Sequence, residues 1–148
     1  MSEQMPFPDH IAHAPVYALP YNALDPDHGG DSDVQFLSIG WAQWDRHELS
    51  AKIVRYSGKR WSRQSEEIPL SRLVDLAAML ALVYERPEGP VAVDSGFFEN
   101  QPAPMLIKHK PQKARDALRH ALDADETLVR RLGALADVMI RLREDGRV

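Results

Sequence analysis

Alternating apolar and polar positions in the first half of the chain predict an antiparallel sheet. Residues 34–44 carry apolar side chains at both odd and even positions, which is typical of a strand that is covered on two sides. Residues 49–56 form the next predicted strand. A Ser-Gly-Lys turn at 57–59 leads into a third, more polar strand over residues 60–68. The pattern therefore predicts a three-stranded antiparallel meander.

Apolar stripes at helical spacing in the second half predict three helices. Residues 71–85 are apolar nearly all round, which is typical of a helix buried in the core. A second stripe follows Pro111, which suits a first helical turn. Asp123 and Glu126 resemble a capping box that opens a last helix over residues 124–144.

The N-terminal segment lacks both patterns. Residues 1–32 hold five of the eleven prolines together with several Asp and Gly residues, so we expect an extended Pro/Asp-rich arm with room for a short edge strand over residues 16–19. A single α+β domain over residues 33–148 follows it, in which residues 91–93 supply a fourth strand and the type of segment 104–109 stays open. The predicted fold is an antiparallel three- to four-stranded sheet packed on a buried helix, with two C-terminal helices.

Composition narrows the class of protein. A chain of 148 residues with 44% hydrophobic and 27% charged residues is typical of one globular domain. The absence of cysteine excludes disulfides, thiolate metal sites and cysteine nucleophiles. The N-terminus has no signal-peptide pattern and no apolar run approaches the roughly 20 residues of a membrane span, so we expect a cytoplasmic protein with no membrane association.

Charge is unevenly distributed along the chain. Residues 1–45 contain seven acidic residues and no Lys or Arg, whereas residues 46–63 contain six basic residues and one acidic residue in a protein of net charge −4. Basic side chains can follow a phosphate backbone while aromatic rings stack on bases, so this region is a candidate site for single-stranded nucleic acid. A solvated sheet face with arginines stacked on aromatics is the alternative. The candidate nucleic-acid-binding residues are Lys52, Arg55, Tyr56, Lys59, Arg60, Trp61 and Arg63.

Clustered polar residues on the predicted third strand suggest a second candidate site, in a small ligand-binding protein or enzyme. Its candidate pocket residues are His47, Arg63, Gln64, Glu66 and Glu67. Strand alternation points Glu66 and Glu67 to opposite faces, so they do not form a catalytic carboxylate pair. An exposed ion pair between Arg63 and Glu67 is the alternative to a pocket.

Motifs for metal, phosphate and nucleophilic chemistry are absent from the sequence. The Asp-rich stretch 25–33 is similar to a calcium loop but has Phe36 where the twelfth-position Glu would lie, so we interpret it as a turn. We therefore predict no catalytic residue, no metal site and no cofactor. The apolar stripe of residues 124–144 then favours a non-enzymatic protein-interaction module, homodimeric or with another protein partner.

Three segments carry a resemblance to a known family. They are YNALD at 21–25, LSIGWAQWD at 37–45 and WSRQSEEIPL at 61–70. Together they resemble an uncharacterised bacterial family known as a domain of unknown function. The resemblance implies a bacterial cytoplasmic protein and brings no activity or ligand. The order of strands and helix also resembles that of single-stranded-DNA-binding transcriptional coactivators, without shared residues.

Overall fold

The computed structural model describes residues 6–8, 13–25, 28–56, 70–85 and 90–148. Within these ranges the protein has the predicted α+β architecture, with a four-stranded antiparallel sheet, a two-stranded ribbon and three helices. The elements are β1 (Ala14–Pro20), β2 (Val34–Trp41), β3 (Leu49–Arg55), α1 (Leu70–Glu85), β4 (Ala92–Val93), β5 (Met105–Leu106), β6 (Lys108–His109), α2 (Gln112–Ala124) and α3 (Glu126–Glu144). The strand predicted over 60–68 and the turn predicted at 57–59 lie outside the described residues.

Strand β1 lies inside the sheet, whose order is β3-β2-β1-β6. The expectation of a short edge strand in this segment was wrong, because β1 pairs with β2 on one side and with β6 on the other. Its two prolines are tolerated where the ladder needs no donor, since Pro15 lies at a register shift and Pro20 is the last residue. A Cβ on Gly40 would come within 2.1 Å of the Ala14 carbonyl oxygen, so the approach of β1 to β2 requires glycine there. The domain boundary at residue 32 stays a prediction.

Strands β2 and β3 occupy the predicted segments and pair antiparallel, with a register shift between Val34 and Phe36. β2 ends at Trp41, before the predicted residue 44, because the chain turns there: the Ala42 amide donates to the Glu48 carbonyl at 2.9 Å. The predicted fourth strand forms as β4, but it pairs with β5 in a separate ribbon. The fourth strand of the sheet is β6, from the segment whose type the sequence left open.

The two faces of the sheet have different covers. The helix face packs against the helices to form the main core. The sheet contributes Tyr17, Leu19, Leu37, Ile39 and Ile53, and the helices contribute Met79, Val83, Leu118 and Leu122. On the outer face, Ala18, Phe36 and Val54 form a small second cluster, against which Phe7 packs.

Helix α1 covers the sheet with one side. Met79 and Val83 are fully buried, whereas Leu70, Leu73 and Val74 are exposed. The apolar residues of this helix are therefore divided between the core and the surface, because only one side of the helix meets the sheet. No helix in the described ranges has the length and apolar character needed to cross a membrane.

Helix α3 begins one residue after its cap. The capping residue is Asp125, whose side chain accepts a hydrogen bond from the Leu128 amide at 2.9 Å. The predicted cap at Asp123 was wrong, since Asp123 belongs to the last turn of α2 and lies 3.7 Å from Arg119.

Candidate functional site

Helix α3 presents an apolar surface to solvent. None of its 19 residues is buried, and it meets the rest of the described protein near its start, where it contacts α2 and Leu128 packs against the main core. The large hydrophobic residues that remain exposed on it are Val129, Leu135, Val138, Met139 and Ile140. Large exposed apolar surfaces are common at sites where proteins associate.

The spacing of apolar residues on α3 follows a heptad pattern. Steps of four and three residues join Leu128, Leu132, Leu135, Met139 and Leu142. Such steps keep the side chains on one seam of the helix, where each can insert between residues of a facing helix. We call these five residues the α3 seam.

The ends of α3 carry opposite charges. Glu126 lies in the first turn, next to the Asp125 cap, and Arg141 and Arg143 lie in the last turn. Acidic groups at the N-terminus and basic groups at the C-terminus complement the helix dipole. These charges and the cap favour the helical conformation of α3.

A buried polar cluster ties α1 to the loops beside it. Arg72 of α1 donates to Asp25 at 2.8 Å, and the side chains are 6% and 1% exposed. Ser32 also donates to the Asp25 carboxylate, at 2.8 Å, and Asn100 donates to the Asp25 carbonyl oxygen at 3.2 Å. Asp25 therefore connects three segments that are far apart in sequence.

A second contact extends this buried polar cluster. The Tyr21 hydroxyl donates to Asp75 of α1 at 2.6 Å. Burial raises the pKa of Tyr21, with a further contribution from the Asp75 hydrogen bond. Burial also raises the pKa of Asp75, and the nearby carboxylates of Asp25 and Glu99 raise it further, against the effect of the Tyr21 hydrogen bond.

Sequence reasoning missed the buried polar cluster. Tyr21 and Asp25 stood out as the ends of the YNALD segment, but no spacing in the sequence joins them to α1. Because Asp25 is already paired and buried, the cluster holds α1 in place and offers no open binding site.

A serine–histidine pair lies on the outer face of the sheet. A hydrogen bond of 3.1 Å joins Ser38 Oγ and His13 Nε2, and the Ser38 hydroxyl donates to the Lys52 carbonyl oxygen at 2.9 Å. Burial, with a smaller effect of the Lys52 charge, lowers the pKa of His13 to about 4. Both residues are buried and the hydroxyl proton is engaged with the backbone, so the pair does not have the geometry of an activated nucleophile.

The predicted nucleic-acid-binding residues fall partly within the described structure. Alternation along β3 puts Lys52 on the outer face, with Tyr56 just beyond the strand on that side and Arg55 on the opposite side. Arg55 lies 3.9 Å from Asp33. The described members therefore divide between the two faces of the sheet. Outside the described residues lie Lys59, Arg60, Trp61 and Arg63, and the site stays a prediction.

Of the five residues predicted to line a polar pocket, His47 lies within the described ranges. His47 lies in the exposed turn between β2 and β3, where its amide donates to Asp45 at 2.9 Å. It borders an open depression with Leu49 and Ala121. Outside the described residues lie Arg63, Gln64, Glu66 and Glu67. In the part of the chain that the structure describes, no group of three His, Asp or Glu residues could hold a metal ion.

Comparison with known proteins returns one family. A family model described as a family of unknown function, DUF6530, matches residues 5–88, more than half of the chain. The match spans β1 to β3 and α1, and it confirms the resemblance to a family without an assigned function. No curated protein and no solved structure matches the chain.

Proposed function

The chain belongs to the family of unknown function DUF6530, and from that premise we propose that it is a non-enzymatic protein-interaction module of the bacterial cytoplasm that forms a homodimer through α3. The observation that carries the proposal is that a 19-residue helix has no buried residue while five large hydrophobic side chains on it are exposed.

Helix α3 needs tertiary or quaternary support. Isolated helices of this length are marginal in water, and most of the stability of a helix in a protein comes from packing of its apolar side. Burying a Leu or Met side chain stabilises by about 1.5–3 kcal/mol. The body of the protein supplies this at Leu128, whereas Leu135 and Met139 of the α3 seam are exposed and open to a partner.

A second copy of the chain fits this surface. The steps of the α3 seam match those of another copy, as a two-fold interface requires. An antiparallel arrangement brings the acidic first turn, with Glu126, beside the basic last turn, with Arg141 and Arg143, of the other copy. It also aligns the two helix dipoles head to tail, which is the favourable orientation.

The polar clusters of the described structure support a non-enzymatic role. Ser38 and His13 are buried and engaged in the outer face, and Asp25 and Arg72 neutralise each other in the interior. These groups stabilise the structure, while the largest unsatisfied surface feature on the described protein is apolar.

Substitution of the central seam residue tests the proposal. Light scattering during gel filtration is expected to give twice the chain mass of 16.7 kDa for the unmodified protein. Leu135→Lys places a charge in the seam, and we expect it to raise the dissociation constant about 100-fold or more, since an unpaired buried charge costs several kcal/mol.

Ala134→Lys is the matched control. It adds the same side chain one residue away, at an exposed position outside the seam, and is expected to leave the dimer intact. A monomer at all concentrations for the unmodified chain, or equal weakening by both variants, would contradict an α3 interface.

A further inference from the structure

The four-stranded sheet is uniformly free of negative charge. Strands β1, β2, β3 and β6 contain Lys52, Arg55 and Lys108 and no Asp or Glu. The chain as a whole has a net charge of −4, with 22 acidic residues. The acidic residues of the protein therefore lie elsewhere, and the sheet is a local region of positive charge.

Two of these basic residues end one row on the outer face. The register aligns Lys52 with Ser38, Ser38 with Ala18 and Ala18 with Lys108. Neighbouring strands lie about 4.8 Å apart, so the backbones at the two lysines are about 14 Å apart across the sheet. Between them the side chains are small, which leaves a shallow track bordered by lysine at each edge.

The ends of this track carry further suitable groups. Lys110 follows Lys108 by two residues, and its amide donates to the Val16 carbonyl at 3.0 Å, so it continues along the same edge. Tyr56, at the opposite edge, is partly exposed, with its amide bonded to the Asp33 carbonyl at 2.8 Å. Cations that border a track and an aromatic ring at its edge are the groups that hold a single-stranded polynucleotide.

Described residues that precede β1 lie beside this track. Phe7 packs against Ala18, Phe36 and Val54, Pro8 is buried, and His13 is hydrogen-bonded to Ser38 in the middle of the row. We call Phe7, Pro8 and His13 the N-terminal cover. Phe7 is partly exposed, whereas Pro8 and His13 are buried, so the contact of Phe7 is the part of the cover that is most open to solvent.

We propose that the outer face of the sheet is a binding site for single-stranded nucleic acid, and that the N-terminal cover occupies it in competition with the ligand. The lysines of the row contact phosphates, Tyr56 stacks on a base, and access to Ser38 and Ala18 requires the cover to leave. Because the uncovered state is a minor one, the affinity of the unmodified protein is reduced by the fraction of molecules in that state.

The proposal is independent of dimerisation through α3. The outer face lies on the side of the sheet opposite the helices, and neither Lys52 nor Lys108 contributes to the α3 seam. Failure of the dimer would leave this site untouched, and failure of this site would leave the dimer in place.

Fluorescence anisotropy with a labelled single-stranded oligonucleotide tests the site on the full chain. Phe7→Ala removes the apolar contact of the cover, and we expect it to bind at least about fivefold more tightly than the unmodified protein. In the Phe7→Ala background, Lys52→Ala with Lys108→Ala is expected to abolish the gain. It should also reduce the salt slope of log K by about 1.4, which is 0.7 for each of two phosphates on a single strand.

Two further variants test whether binding depends on the N-terminal cover and on the position of the lysines. Ser38→Ala removes the hydrogen bond to His13, and we expect it to tighten binding independently of Phe7. Lys113→Ala, which removes one positive charge at an exposed position on α2, should leave binding unchanged.

Three outcomes would overturn the proposal. The first is equal affinity of the unmodified, Phe7→Ala and Ser38→Ala proteins, with melting curves that show all three folded. The second is a loss in Lys113→Ala as large as in the double lysine variant. The third is binding of a polyglutamate peptide as tight as that of the oligonucleotide, which would show a surface selective only for negative charge.

Discussion

Helices α1 and α3 both expose apolar side chains, but they are held in different ways. α1 buries Met79 and Val83 against the sheet and is tied to the neighbouring loops through Arg72 and Asp75. α3 has no buried residue and depends on the Asp125 cap and the packing of Leu128. Exposed apolar side chains on α1 and on α3 therefore differ in what they imply about how each helix is stabilised. α1 packs against the sheet of its own chain, whereas α3 is the helix for which we propose a cover by a second chain.

Among the substitutions that test this difference between α1 and α3, loss of the buried Arg72–Asp25 ion pair is expected to lower the free energy of unfolding most. Arg72→Met leaves the Asp25 carboxylate buried without its cation, and we expect it to lower the free energy of unfolding by about 3–5 kcal/mol. Urea unfolding followed by tryptophan fluorescence measures this, because Trp41 packs against the main core.

Arg119→Met is the matched control for that prediction. Arg119 lies 3.7 Å from Asp123 on the surface of α2, with the two side chains 34% and 60% exposed. An exposed pair of this kind contributes about 0–1 kcal/mol. Equally small losses of unfolding free energy in Arg72→Met and Arg119→Met would show that apolar packing alone holds α1. The buried ion pair would then no longer distinguish α1 from α3.

The pH dependence of the unfolding free energy gives a second test of the body of the protein, where His13 is buried. The pKa of His13 is about 4 when folded, against 6.5 for the unperturbed side chain. Between these values the unfolded chain binds more protons than the folded one. The stability due to neutral His13 is therefore present above pH 6.5 and is lost as the pH falls towards 4, by about 1.4 kcal/mol per pH unit and about 3 kcal/mol in all.

His13→Gln isolates that contribution. The variant removes the titrating group, so the unfolding free energy of the unmodified protein should fall by about 3 kcal/mol relative to that of the variant between pH 7 and pH 4. Asp75 acts in the opposite direction, since burial raises its pKa, but it does so equally in both proteins. A difference that stays constant from pH 7 to 4 would show that His13 is not buried in its neutral form.

The elements that the sequence predicts well are those with local causes. The alternation of β2 and β3 and the apolar stripes of α1, α2 and α3 are each contained within one segment, so periodicity finds them. β1 was placed at an edge because its prolines argue against a central strand. The structure accommodates Pro15 at a register shift, which depends on the partner strand and is invisible in the segment itself.

Patterns within a single segment of the sequence do not predict the polar contacts of the interior. Asp25 and Arg72 are 47 residues apart, and Tyr21 and Asp75 are 54 apart, so only the folded chain brings them together. The reverse holds for the α3 seam, whose five residues lie within one helix. The sequence therefore predicts the candidate interface in detail and leaves the anchor of α1 unseen.

The smallest expected effect concerns the start of α3 and compares two neighbouring aspartates. Asp125→Ala removes the side chain that accepts from the Leu128 amide, and it should lower the stability of α3 by about 1 kcal/mol. Because helix formation and dimerisation through the seam are coupled, the dimer should weaken by about fivefold, which far-UV circular dichroism and light scattering over a dilution series would measure.

Asp123→Ala is the control that decides between the sequence pattern and the structure. The capping-box pattern predicts that Asp123 is the residue whose loss matters, whereas the structure places it in the last turn of α2, in an exposed pair with Arg119. We expect Asp123→Ala to leave the dimer unchanged. A larger loss in Asp123→Ala than in Asp125→Ala would move the start of α3 back to the predicted position. It would also shift the register of Leu128 against the core, because that contact depends on where the helix begins.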